Sequence, residues 1–225
     1  MGACDGYRNP MSAVIRITAR DIERYERMGA FEARLREAGY RFIAGVDEVG
    51  RGPLAGPVVA AACILPEGVN FHGLNDSKKM TVKRREALEI LIREKAVAWS
   101  VAMVGETEID RVNILEATKE AMRRALCELS CSPDIALIDA VTLQGFDYPC
   151  RALVKGDAEH NVIAAASVLA KVARDRMMVR WDEEFPGYGF ASHKGYGTAE
   201  HIRAIKEQGP CPIHRLSFLS NILKP

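Results

Sequence analysis

The sequence predicts an α/β fold in which a mixed β-sheet is flanked by helices. Three observations carry this. Apolar, β-rich runs cluster early, at residues 42–47, 58–65 and 96–104. Two further short strands then alternate with segments of helical periodicity, and a long run of small residues follows that suits close packing on a sheet.

The elements follow in order. Ile22, Tyr25, Met28, Phe31 and Leu35 recur at helical spacing, predicting one amphipathic helix over 19–39, ended by Gly39. A strand over 42–47, a glycine-rich turn and a strand over 58–65 come next. "NDSKKMTVKRREALEILIREK" reads as a polar loop opening a helix, with Leu88, Ile90, Leu91 and Ile92 as its apolar positions, before the strand "AVAWSVAMV". Ile114, Thr118, Met122, Ala125 and Leu129 mark a helix over 113–129. Strands over 134–139 and 152–155 lead to the long helix "EHNVIAAASVLAKVARDRMMVRWDEEF". The loop "PGYGFASHKGYG", a last helix over 198–208 and a short tail complete the chain.

At 225 residues the chain can bury a substantial core. With 48% apolar and 27% charged residues it has the make-up of a soluble globular protein. Its 31 basic against 30 acidic residues exclude bulk attraction to polyanions, so phosphate binding needs local sorting of charge. The six cysteines form no C-x-x-C pair, and Cys127 and Cys131, four apart, have no histidine nearby in sequence, which argues against zinc and for buried free thiols in a reducing compartment. The N-terminus shows no apolar signal region and no run reaches membrane-spanning length, so the expectation is a cytoplasmic protein.

The informative stretch is "FIAGVDEVGRGPLAGPVVAAA". Gly50, Gly52 and Ala55 fit the G-x-G-x-x-A dinucleotide fingerprint, but Pro53, Pro57 and a second strand stand where that motif needs a helix. Asp47 and Glu48 at the end of an apolar strand demand a partner, because an unpaired buried carboxylate costs several kcal/mol. Side chains alternate along a strand, so a bulge or tight turn at the following glycines is expected to bring Glu48 round to Asp47. Asp139 ends the strand "IALID", and Asp157 follows Lys155-Gly156 where the long helix opens. Four carboxylates at the ends of apolar elements suit a hard divalent cation, Mg²⁺ or Mn²⁺. Taken singly, Asp157 also fits a helix cap and Asp139 a turn residue.

In order along about residues 41–218, "GVDEVGRGPLAGPVVAAACIL", "NDSKKMTVKRR", "IDRVNILEATKEAM", "LIDA", "VKGDAEHNVIAAASVLAKVARDRMM", "HKGYGT" and "HRLSF" resemble ribonuclease HII, the type 2 ribonuclease H of bacteria. The resemblance implies a ribonuclease H-like fold with a helical C-terminal part, and metal-binding acids at Asp47, Glu48, Asp139 and Asp157. It implies cleavage of RNA in RNA–DNA hybrids and on the 5′ side of ribonucleotides embedded in duplex DNA, leaving 3′-hydroxyl and 5′-phosphate ends. It also implies that Gly50-Arg51-Gly52 and Tyr196 sense the ribonucleotide junction, with Tyr188 the competing aromatic. Lys78 and Lys79 lie in the family-like "DSKK" loop and are expected to meet substrate.

Further basic residues considered for phosphate contact are Lys83, Arg84, Arg85, Lys171, Arg174, His193, Lys194 and Arg215, of which 83–85 also suit a merely solvated face. Asn113 and Ser167 also stand in family-like motifs but read as a helix cap and a packing residue. Gly197 departs from the pattern, which often has proline there. Three rivals are a ribonuclease HIII-like enzyme, whose turn carries threonine in place of Arg51, a non-catalytic nucleic-acid-binding protein, and an unrelated metal-dependent phosphatase or nuclease, which leaves the Gly-Arg-Gly turn and the K-G-Y loop unused. The expected organisation is a loose tail over 1–17, a helix over 18–40 and a catalytic domain over 41–225, working as a monomer on hybrids and ribonucleotide-containing duplexes.

Overall fold

The structure is a computed structural model that describes residues 16–223. The loose tail expected at the start lies, for residues 1–15, outside the described residues, as does Cys4. Five strands form one sheet: β1 (Ile43–Val49), β2 (Val58–Ile64), β3 (Ala98–Val104), β4 (Ile135–Asp139) and β5 (Cys150–Leu153), in the order β3-β2-β1-β4-β5. β2 pairs antiparallel with β1 and β3, while β4 runs parallel to β1 and β5. The sheet is therefore mixed.

Alternation along β2 feeds two cores. Val59, Ala61 and Cys63 face the layer built by α3 (Val82–Lys95) and α7 (Asn161–Glu184). Val58, Ala60, Ala62 and Ile64 face α5 (Ile114–Cys127), through Ala117, Ala121, Met122 and Ala125. The run of small residues in α7 works as the sequence suggested. A Cβ on Gly45 would lie 2.1 Å from the Val162 carbonyl carbon, so the first turn of α7 rests on the bare backbone of β1. No helix among the described residues is long and apolar enough to cross a membrane.

Several elements differ from expectation. The first helix is two, α1 (Ala19–Met28) and α2 (Ala30–Glu37), broken at Gly29. Asn161 occupies the space beside Gly29 and donates from Nδ2 to the Tyr25 carbonyl at 2.8 Å. Glu32 on α2 accepts the Val162 N–H at 3.2 Å, setting a carboxylate at the positive end of α7. An extra helix, α4 (Glu106–Val112), precedes α5 and is separated from it by Asn113 at φ 71°. Asp157 belongs to a separate turn, α6 (Gly156–Glu159), cut off from α7 by extended His160. β5 sits two residues earlier than expected. Only Cys63 among the described cysteines is buried; Cys127 is exposed because it ends α5 on the solvent side.

The C-terminal part contains α8 (Phe190–His193) within the glycine-rich loop and α9 (Ala199–Gln208), with its own small core of Met178, Tyr188, Phe190 and Ile205. Three imidazoles lie here. The Cys211 N–H donates to His214 Nδ1 at 2.9 Å, so neutral His214 carries its proton on Nε2 and faces His201 Nε2 at 3.0 Å. His201 then donates from Nδ1 to the Tyr196 carbonyl at 2.9 Å. Burial, with His193 and His214 close by, holds the His201 pKa down to about 4.

Two outcomes are expected. Gly45→Ala should lower unfolding free energy by about 3 kcal/mol or more in urea denaturation, since backbone and not a side-chain tip blocks the methyl; a loss under about 0.5 kcal/mol would contradict this packing. A histidine whose folded pKa lies below its unfolded value stabilises fully above the unfolded pKa and loses that contribution as pH falls. The stability difference between wild type and His201→Gln should therefore shrink from about pH 6.5 down to about pH 4. A constant difference would mean that His201 does not titrate in that window.

Candidate active site

The parallel β1–β4 register sets Val46 opposite Ile138, so the next residues, Asp47 and Asp139, end neighbouring strands side by side. Asp47 is 5% exposed. Carboxylate oxygens of Asp47, Glu48 and Asp139 lie within 4.8 Å of one another. Of the bulge or tight turn expected here, the turn is the one found, at Gly50 (φ 95°), while Asp47, Glu48 and Val49 pair in unbroken register with Ala61, Ala60 and Val59. Glu48 reaches the cluster by its longer side chain from a regular strand.

Neighbouring groups aim the acids. Asp47 Oδ1 accepts the Glu48 N–H at 2.7 Å, and the Asp47 carboxylate also interacts with the Ser167 hydroxyl on α7. Ser167 Oγ lies 2.9 Å from Ser77 Oγ. Asp139 Oδ1 accepts the Gly156 N–H at 2.7 Å, which ties β4 to α6. Asp157 stands just outside the set of three and faces Asp76, Asp139 and Lys78. Lys155, at φ 57°, and Gly156, where a Cβ would fall 2.5 Å from Ile163, make the tight turn that brings Asp157 there.

The electrostatics are those of an acid cluster short of cations. Burial first, then Glu48, Asp139 and Asp157, push the Asp47 pKa well above the carboxylate range. Burial and Asp139 raise that of Glu48 against the pull of Arg51, 3.4 Å away. Burial, Asp76 and Asp139 raise that of Asp157. Partial burial works against the Lys78 ammonium, but Asp157, Asp47 and Asp76 outweigh it and raise its pKa. Glu48 Oε2 is buried with no hydrogen-bond partner. An oxygen-only donor set with a vacant buried lone pair fits a hard divalent cation.

Beside the acids, β1 runs into Gly50-Arg51-Gly52, with Gly50 at φ 95°. A Cβ on Gly52 would lie 3.8 Å from the Tyr196 ring, so turn and ring adjoin. Tyr196 is 42% exposed, whereas Tyr188 is buried and donates to the Gly209 carbonyl at 2.6 Å. The G-x-G-x-x-A match leads into β2, not a helix, and builds no nucleotide fold.

A family model described as Ribonuclease HII matches residues 44–221. The chain belongs to the ribonuclease HII family. It is 51% identical over 205 residues to a ribonuclease HII of Ruminiclostridium cellulolyticum, covering 91% of this chain and 80% of that one. To the ribonuclease HII of Moorella thermoacetica it is 52% identical over 204 residues, covering 91% and 99%. Among solved structures it resembles the ribonuclease HII of Archaeoglobus fulgidus, solved as a complex with PCNA, at TM-score 0.69 and 27% identity, covering 81% and 97%. The chain is accordingly a metal-dependent endonuclease of the ribonuclease H type, a hydrolase acting on RNA in RNA–DNA hybrids.

Several basic residues weighed for substrate have other work in this ribonuclease HII chain. Arg174 and Arg215 are fully buried. Arg85 is buried and donates to the Ser77 carbonyl at 2.6 Å, and Arg84 pairs with Asp21 at 2.7 Å. His193 stacks on His201, with ring centroids 4.4 Å apart. Lys78 and Lys79 remain exposed on a 3₁₀ turn, Ser77–Lys79, whose start Asp76 caps by accepting the Lys78 N–H. Asn113 caps α5, accepting from the Leu115 and Glu116 N–H groups. Sequence reasoning missed Ser77, Asp76 and the role of Ser167; the signal present was their place inside family-like motifs.

Because Asp47, Glu48 and Asp157 have folded pKa values above their unfolded ones, their contribution to the stability of the metal-free protein is greatest when they are protonated and is lost as pH rises through the raised values. Millimolar Mn²⁺ should therefore raise Tm, and more at pH 8 than at pH 5.5. Asp47→Asn should stabilise the metal-free protein by roughly 1–3 kcal/mol and cut the Mn²⁺ increment sharply. A metal-independent Tm, or a destabilised Asp47→Asn protein, would contradict the cluster.

Proposed function

We propose that the chain hydrolyses the RNA strand of hybrids and also cuts 5′ of a single ribonucleotide embedded in duplex DNA, leaving 3′-hydroxyl and 5′-phosphate ends. The observation that carries this reading is adjacency. A buried acid cluster fit for a hard cation sits at the foot of a glycine turn whose neighbour is an exposed tyrosine.

Asp47, Glu48, Asp139 and Asp157 are the residues that would hold Mg²⁺ or Mn²⁺, with Asp47 central because it is buried and lies close enough to feel the charge of the other three. Bound there, divalent ions supply an activated water and steady the departing 3′-oxygen. The chain's own groups do the rest. Ser167 fixes Asp47 and the Gly156 N–H fixes Asp139, so the ligand oxygens are oriented before anything binds. Lys78, charged and beside Asp47 and Asp157, places an ammonium where a bridging phosphate would arrive, and exposed Lys79 extends that basic edge. The turn at Gly50, Arg51 and Gly52 lets backbone approach the sugar closely enough to read a 2′-hydroxyl, and Tyr196 stacks at the junction. The protein works on nucleic acid as a monomer in the cytoplasm.

Duplexes with one, four or no ribonucleotides should separate the readings in one assay. Cutting is expected 5′ of the lone ribonucleotide with Mg²⁺ or Mn²⁺, with none in chelator and none on all-DNA duplex. Intact single-ribonucleotide duplex alongside cut hybrid would point to hybrid-only action of the ribonuclease HIII kind. Asp47→Asn should abolish cleavage while leaving duplex binding. Tyr196→Phe should weaken preference for the junction by roughly tenfold, the worth of one good hydrogen bond; full preference would remove the hydroxyl from recognition.

A further inference from the structure

Arg215 was a candidate for phosphate and is instead sealed in the interior, fully buried, with no carboxylate within 4.0 Å among the described residues. Its guanidinium donates to three carbonyls. Nε reaches Gly56 O at 2.8 Å, Nη1 reaches Arg51 O at 3.0 Å, and Nη2 reaches Gly50 O and Gly56 O, each at 2.6 Å. Arg174, equally buried, holds the carbonyls of Ala55, Pro57 and Lys194 at 2.9–3.0 Å. Glu106 and Asp110 act on Arg215, and Asp175 and Glu106 on Arg174, only from beyond ion-pair distance, and burying a guanidinium without a direct ion pair costs several kcal/mol. An apolar side chain would fill the same space without that cost. The arrangement makes sense for what it does to the turn.

Every peptide bond among the described residues is trans. In a trans peptide the carbonyl of one residue and the N–H of the next point in opposite directions. With the Gly50 and Arg51 carbonyls drawn inward to Arg215, the N–H groups of Arg51 and Gly52 are turned outward. Neither has a protein acceptor among the hydrogen bonds of the described residues. Both leave the turn on the side away from the core, next to Tyr196 and two and three residues past the end of the cluster strand at Val49. Two adjacent backbone donors facing outward form a concave site for an electron-rich oxygen.

We propose that Arg215 is a positioning residue for ribonucleotide recognition: by claiming the carbonyls of Gly50 and Arg51 it aims the Arg51 and Gly52 N–H groups at the 2′-hydroxyl oxygen of the substrate ribose. This rests on the function proposed above and adds which atoms do the reading and what holds them. Arg174 fastens the other side of the assembly, where the Leu54 N–H also donates to Gly195 O at 2.8 Å and so joins the turn to the Tyr196 loop. A lysine at 215 keeps the charge but lacks the planar fork, and one ammonium cannot span the three carbonyls in the same way.

The test compares KM for a one-ribonucleotide duplex with the inhibition constant of the matching all-DNA duplex, in wild type and Arg215→Lys with Mn²⁺. The ratio of these constants does not depend on how much of the enzyme is active, so partial unfolding leaves it unmoved. Discrimination is expected to fall about tenfold in Arg215→Lys, with the all-DNA constant within about twofold and the Mn²⁺ shift in Tm retained. An unchanged ratio overturns the inference. Should the lysine variant not fold, amide exchange on Asp47→Asn protein decides: the Arg51 and Gly52 amides should slow on binding the one-ribonucleotide duplex and not on binding all-DNA. Equal protection by both duplexes, or none, overturns it. Wild type that cuts no ribonucleotide-containing duplex would instead strike the proposed function itself.

Discussion

The structure depends on one electrostatic constraint: a carboxylate at the end of a core strand, nearly sealed from water and surrounded by others of its kind. Asp47 has Glu48, Asp139 and Asp157 for neighbours and only Ser167 and a backbone N–H as hydrogen-bond donors. Removing such a group from water is unfavourable by several kcal/mol, and like charges add to it. Lys78 and Arg51 lie at the rim and offset part of this, on the outer side. A divalent cation held by these acids, as proposed, would offset the rest. The site is therefore a place where stability is given up to hold ligands in readiness.

The rest of the fold supplies the rigidity this needs. Bare backbone at Gly45 lets α7 lie on β1, which brings Ser167 to Asp47. The N-terminal helices steady the start of the same helix through Glu32 and Asn161. On the far side, two buried guanidiniums grip the carbonyls of the glycine turn and of the Tyr196 loop, and the histidine chain ends on the Tyr196 carbonyl. The acid cluster and the turn with its Tyr196 loop are thus fixed by separate sets of polar contacts that meet at Gly50.

Much of this was legible in the sequence. Apolar runs located all five strands, and the placing of Asp47, Glu48 and Asp139 at strand ends foretold their meeting, because parallel neighbours align such ends. The break at Gly29 was not legible, since the apolar spacing runs straight through it and Asn161, which packs there and bonds the Tyr25 carbonyl, is distant in the chain. Of the bulge or tight turn expected at the glycines after Glu48, the turn at Gly50 is present and the bulge is not. Arg174 and Arg215 read as surface cations because charge in a sequence says nothing of carbonyls gathered from other segments. Only the three-dimensional turn shows six such acceptors waiting.

Anomalous scattering at the manganese edge, from crystals grown with Mn²⁺, tests the central premise most directly. The account requires manganese peaks bonded to Asp47 and shared with Glu48, Asp139 or Asp157. Crystals with those carboxylates bare and ordered while manganese binds elsewhere, or nowhere, would contradict it.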